Sequence, residues 1–133
     1  MSLSLHIDFN GNCQQAFEFY AANLQGKIGT MLQVKDSPLA QQESSEWQDK
    51  IVHANINIHN IELAGADVKP KQYHKPRGFY LLLGLTSESA VKDIYNKLAE
   101  HGEVILPPQK TFWSPCYAIV TDRFAVPWKL NCS

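Results

Sequence analysis

His6 and Asp8 lie two residues apart on one side of a short alternating segment. A neutral imidazole beside a carboxylate can act as a metal ligand, a general base or a hydrogen-bonded structural group. His53 and His59 share a polar side with Asn55 and Asn57, but six residues along a strand separate them by about 20 Å, so they cannot hold one metal within a chain. Cys13 opens a helix, where neighbouring N–H groups can depress a thiol pKa; no base stands near it in sequence, and a buried, unreactive thiol is the expectation. Trp47, Trp113 and Trp128 can wall a flat ligand or fill a core. Trp128 alternates with Leu130 and reads as core, whereas Trp113, beside Ser114-Pro115 at a strand edge, is the candidate pocket or interface aromatic. Lys69, Lys71, Lys75 and Arg77 form a run without an acid, which can bind phosphate or an acidic surface or serve as a solvated connector. No G-x-x-x-x-G-K-[ST], G-x-G-x-x-G or G-x-S-x-G string occurs, so nucleotide loops and a hydrolase elbow have no support.

The elements that position these residues follow one pattern used twice. Ala16, Phe17, Tyr20 and Leu24 form a helical face after Asn10-Gly11-Asn12, and Ala90, Val91, Ile94 and Leu98 repeat it after Thr86-Ser87-Glu88-Ser89 at a constant offset. Residues 3–9 alternate Leu3, Leu5, Ile7 and Phe9 against Ser4, His6 and Asp8, predicting a strand. A helix follows to about Asn23, with Asn12 expected to cap it and Gly26 to end it. Strands are predicted at 28–35, 51–59 and 61–68, the last two as a hairpin around His59-Asn60, with a mobile polar loop through Lys50. Residues 69–77 read as a linker. Then come a strand at 79–85, a helix at 88–101 stopped by Gly102, and strands at 103–110, 116–121 and 126–132, with Pro107-Pro108 and residues 122–125 as breaks.

A length of 133 residues with 44% hydrophobic content fits one domain, 1–133, built of module 1 (about 1–68), the linker and module 2 (about 78–133). Net charge is −1, but residues 1–67 hold eight acids against three Lys/Arg and residues 68–133 five against nine. Such opposed halves attract, within a chain or across a homodimer. The basic excess is too small for a nucleic-acid binder. Three widely spaced cysteines without a C-x-x-C pair suit reduced thiols, and no signal peptide or membrane-length apolar run is seen; a cytoplasmic location is expected.

Three strings carry a family resemblance: Phe9-Asn10-Gly11-Asn12-Cys13-Gln14-Gln15-Ala16-Phe17-Glu18-Phe19-Tyr20, Asp49-Lys50-Ile51-Val52-His53-Ala54, and Asp122-Arg123-Phe124-Ala125-Val126-Pro127-Trp128-Lys129-Leu130-Asn131. Together they resemble the PhnB-like branch of the glyoxalase/bleomycin-resistance/extradiol-dioxygenase, or vicinal oxygen chelate, superfamily. The resemblance implies an α+β fold in which two paired β-α-β-β-β modules curl around a shared cavity, commonly in a homodimer. Enzymes of that superfamily hold a divalent metal with His and Glu from four strands, where it polarises vicinal oxygens of the substrate. Carried onto this chain, the first ligand position falls on Ser4 or Leu5 depending on register, with His6 matching in neither. The second falls on Tyr80 and the last on Lys129; the remaining one is open between Glu62, Ala64 and neighbours. An ammonium has no lone pair to give a metal and repels it. No cofactor is therefore expected, a divalent metal requiring a nonstandard site built from His6 with Asp8 or Glu62.

Tyr80 and Lys129, standing at presumed ligand positions, are expected to face the cavity and meet an anionic or carbonyl-bearing molecule; the alternative is that Tyr80 packs and Lys129 extends to the rim. The pocket candidates are thus His6, Asp8, Tyr80, Trp113 and Lys129, with no metal-ligand or catalytic assignment. The expected function is binding of a small organic molecule between the sheets. The alternative is a metal-dependent or Tyr/Lys-assisted lyase, isomerase or dioxygenase acting on a small oxygenated substrate. Neither a nucleic acid nor a membrane is an expected partner.

Overall fold

A computed structural model describes residues 1–133 and resolves them into two compact units, Met1–His74 and Lys75–Ser133. The first unit contains β1 (Leu5–Phe9), α1 (Cys13–Asn23), β2 (Lys27–Gln33), β3 (Ile51–Ile58) and β4 (Ile61–Asp67). The second contains β5 (Leu81–Leu85), α2 (Glu88–Ala99), β6 (Glu103–Gln109), β7 (Tyr117–Thr121) and β8 (Pro127–Cys132). Each is a four-stranded sheet, ordered β1-β4-β3-β2 and β5-β8-β7-β6. The first strand of each unit runs parallel to the last, and the other neighbours are antiparallel. The doubled β-α-β-β-β pattern of the sequence is therefore the observed architecture, an α+β fold.

Alternation sets which side each helix covers. In the first unit Ile7, Phe9, Ala54, Ile56 and Leu63 are buried with Ala16, Phe17 and Tyr20 of α1. Phe9 meets Phe17 edge-on, with ring centroids 5.7 Å apart. In the second, Val91 and Leu98 of α2 share burial with Ala118, Val120, Trp128 and Leu130.

Several boundaries differ from the sequence reading for identifiable reasons. β1 begins at Leu5, opposite Leu63, and Leu3 is 98% exposed. Asn12 does not cap α1; its side chain makes no capping bond, and the Cys13 N–H donates instead to Oδ1 of Asp67 at 2.9 Å. A charged acceptor at the end of β4 has taken the role that local Asx chemistry predicts for Asn12. After each helix the left-handed residue is Gln25 (φ 57°) or His101 (φ 59°), so the glycines that follow have another purpose. A Cβ on Gly26 would lie 2.7 Å from Cδ1 of Ile56, and one on Gly102 would collide with the Thr121 carbonyl. Both glycines permit close approach of chain segments.

The polar stretch expected to be a mobile loop is folded into 3-10 turns at Val34–Asp36, Pro38–Gln41 and Ser45–Trp47. The Gln48 amide ties it together, donating to the carbonyls of Ala40 at 2.8 Å and Glu43 at 3.0 Å. Pro107 and Pro108 do not break a strand but lie inside β6, which is tolerated because β6 is an edge strand with an irregular register. No helix is long and apolar enough to cross a membrane.

Candidate functional site

In each unit the strand residues that alternate away from the helix form an open sheet face. On the first, His6 is opposite Ala64 and Asp8 opposite Ala66, so two small side chains flank the pair. His6 Nε2 lies 2.9 Å from Asp8 Oδ1, and both side chains are half exposed. Glu62 shares this side but is engaged, accepting from Asn55 Nδ2 at 3.0 Å; Asn55 Oδ1 in turn accepts from the Thr30 N–H. Leu5 alternates with Ile7 and Phe9 toward the helix, and Ser4 precedes β1.

On the second unit, β5 pairs with β8 so that Leu82 is opposite Lys129, and Lys129 is opposite Ile119 of β7. Tyr80 immediately precedes β5 and is 42% exposed. The Lys129 ammonium sits over its ring, 4.4 Å from the centroid. At that distance the ring quadrupole attracts the cation, and Lys129 is directed by Tyr80 rather than left to solvent. Tyr80 also lines a cleft of about 310 Å³, built from the Lys75–Tyr80 segment and residues Ile105, Thr121 and Pro127.

Trp113 is not part of this cleft. It stacks edge-on between Phe112, with centroids 4.7 Å apart, and Tyr117 at 5.2 Å. Tyr117 opens β7, whereas Thr121 in the cleft closes it, so Trp113 stands at the opposite end of that strand from Tyr80. Its loop is pinned by buried Ser114, whose hydroxyl lies 3.0 Å from the carbonyls of both Cys116 and Cys132. The structure thus brings His6 to Asp8 and Tyr80 to Lys129, and sets Trp113 apart from the latter pair.

Cys13 is fully buried, and burial first, the Asp67 carboxylate second, push its thiol pKa well above the ordinary value. His59 is an exposed turn residue with φ 49°, in the two-residue hairpin with Asn60 that the sequence indicates. The family strings hold the fold more than they furnish a site. Lys50 Nζ donates to the Gly11 carbonyl at 2.8 Å, and buried Asp122 accepts from the N–H groups of Phe124 and Val126 and, at 2.9 Å, from the Trp128 indole.

The residues present do not reproduce the ligand set that the superfamily resemblance implies. No group of three or more His, Cys, Asp or Glu side chains is placed to hold one, and the position where the superfamily resemblance sets a carboxylate ligand bears the Lys129 ammonium.

Two four-stranded mixed sheets, each backed by one helix, define a protein of the glyoxalase/bleomycin-resistance fold. The chain belongs to the PhnB-like family of that superfamily: the family model described as 3-demethylubiquinone-9 3-methyltransferase matches residues 2–131. It is 30% identical to Protein YjdN of Escherichia coli (strain K12), over 98% of this chain and 95% of that one. The crystal structure of protein PA1353 from Pseudomonas aeruginosa matches with 35% identity and a TM-score of 0.88, covering 100% of this chain and 98% of that one. A putative 3-demethylubiquinone-9 3-methyltransferase, PhnB protein, from Bacillus cereus shares the fold at 18% identity and a TM-score of 0.84, each chain covered in full. A glyoxalase-related enzyme from Fulvimarina pelagi shares it at 13% identity and a TM-score of 0.67, over 100% of this chain and 89% of that one.

Proposed function

We propose that this protein binds a small organic molecule on the open face of its second module, where Tyr80 and Lys129 stand in place of metal ligands. The observation that carries the reading is the ammonium held 4.4 Å over a partly exposed phenol ring, beside a cleft of small-molecule size. The pair offers a cation, a phenol and an aromatic face, a set suited to recognising oxygen-bearing ligands without a metal.

A second reading, acid–base chemistry on a small oxygenated substrate, is favoured by the His6–Asp8 contact at 2.9 Å, in which a carboxylate can orient an imidazole. We further propose a homodimer, supported by the acidic first half and basic second half, and a cytoplasmic location, supported by three free, buried cysteines.

The test is a small-molecule screen read by amide NMR on the full chain. Hits should shift residues 75–80 and 127–131 and lose about tenfold in affinity in Lys129→Ala, the scale of one charge-assisted contact. Hits that leave this face unshifted and bind the variant unchanged contradict the proposal. Turnover of a hit that vanishes in His6→Gln decides for the second reading.

A further inference from the structure

The basic run around residues 69–77 is more than a connector where it enters the second unit. Lys75 and Arg77 line the same cleft as Tyr80, and no carboxylate lines it with them. Neither cation takes part in any of the protein's ion pairs. Between them and the aromatic pair Phe79 and Tyr80 lies Gly78, whose φ of +84° puts the chain in a left-handed turn. A Cβ there would meet nothing within 4 Å, so glycine serves the backbone conformation and not close packing. The turn presents two unpaired cations and two aromatic side chains to one space of about 310 Å³. Thr121 adds a hydroxyl-bearing side chain to the lining, while Ile105 and Pro127 are apolar.

Two like charges at one concave site repel each other and raise the local potential, an arrangement that an anion relieves. Arg presents a planar fork matched to carboxylate and phosphate oxygens, and Lys adds a mobile point charge. Phe79 and Tyr80 offer flat apolar contact for an unsaturated body. The volume admits a molecule of roughly one ring with its substituents.

We propose that this cleft selects small organic anions, holding a terminal oxyanion between Lys75 and Arg77 and a flat body against Phe79 and Tyr80. The inference rests on the reading of the second-module face as a small-molecule site, and adds the ligand's charge and shape.

Benzoate, phenyl phosphate and neutral benzamide, titrated into the full chain and followed by amide NMR, separate the two ideas. Both anions should bind at least tenfold more tightly than benzamide, shifting residues 75–80 and 121. The double variant Lys75→Ala with Arg77→Ala should lose at least tenfold for the anions and leave benzamide unchanged; both residues are exposed, so the fold is retained. Affinity should also fall as salt rises from 50 to about 300 mM, since exposed charges are screened. The ratio of benzoate to phenyl phosphate tells whether a carboxylate or a phosphate ester is the preferred end. Equal binding of benzamide and benzoate at Tyr80 and Lys129, or anion binding indifferent to the double variant, overturns anion selection while leaving the small-molecule face intact. Shifts confined to other residues, or no binding of any probe at millimolar concentration, overturn the anion proposal, and Lys129→Ala binding of the screening hits then decides the broader reading separately.

Discussion

Two carboxylates, Asp67 and Asp122, tie the family strings into the fold by hydrogen bonds to backbone and indole N–H groups. Asp67 accepts from the Cys13 N–H at 2.9 Å and the Ile51 N–H at 2.8 Å, joining the end of β4 to the start of α1 and of β3. Asp67→Ala should lower unfolding stability by roughly 2–4 kcal/mol, two charge-assisted bonds' worth, and a urea midpoint equal to the parent's would refute the role. Asp122→Ala should cost about 3 kcal/mol or more, because three donors, two of them buried and one of those the Trp128 indole, lose their acceptor. Cys13 adds a pH dependence. Its folded pKa is raised from 9.0 by burial and by Asp67, so its contribution is intact below about pH 9 and is lost above, where only the unfolded chain releases the proton. Stability should fall less steeply above pH 9 in Cys13→Ala, as read by urea titration at several pH values; parallel pH profiles contradict this. These roles were not legible in the sequence, because Asp67 and Cys13 are 54 positions apart and nothing local marks either as the other's partner. The Lys75–Arg77 run beside Tyr80 was visible, but only the fold sets it in one cleft with Ile105, Thr121 and Pro127.

At the scale of elements, every strand and both helices that the sequence indicates are present, and period-2 alternation marks β1 and β3 most clearly, because each has one covered and one open side. Ends were less legible. Gln25 and His101 take the left-handed conformation that the neighbouring glycines suggested for themselves, and long-range approach explains the glycines instead. The two sites should respond differently. In Gly102→Ala the new methyl meets the carbonyls of Thr121 and Leu98, which are backbone, so a loss of roughly 1–3 kcal/mol is expected. In Gly26→Ala it meets the movable end of Ile56, and the loss should be smaller. Thermal denaturation of the two variants settles the order. Pro107 and Pro108 inside β6 are the same lesson in another form: proline reads as a break until the strand is known to be an edge.

For the whole molecule, the repeat was legible as a repeat, and the family followed from three strings in order along the chain. The ligand was not, because the residues we propose to recognise it lie on an open face whose composition is free to vary while the buried alternates are fixed by packing. Reading the chain as one domain, we expect a single cooperative unfolding transition; two separated transitions would assign one to each module. The opposed charges of the halves lead us to expect a dimer in sedimentation at micromolar concentration, weakened by salt, and a monomer throughout would remove that proposal. The central claim is that an ammonium and a phenol have replaced metal chelation on the second-module face. Native mass spectrometry with elemental analysis, on protein purified without a metal-affinity step and then offered nickel or zinc, addresses it most directly. A chain that carries no stoichiometric divalent metal, and gains tight binding only in the double change Tyr80→His with Lys129→Glu, is the expected result; one tightly held metal per unmodified chain would contradict it.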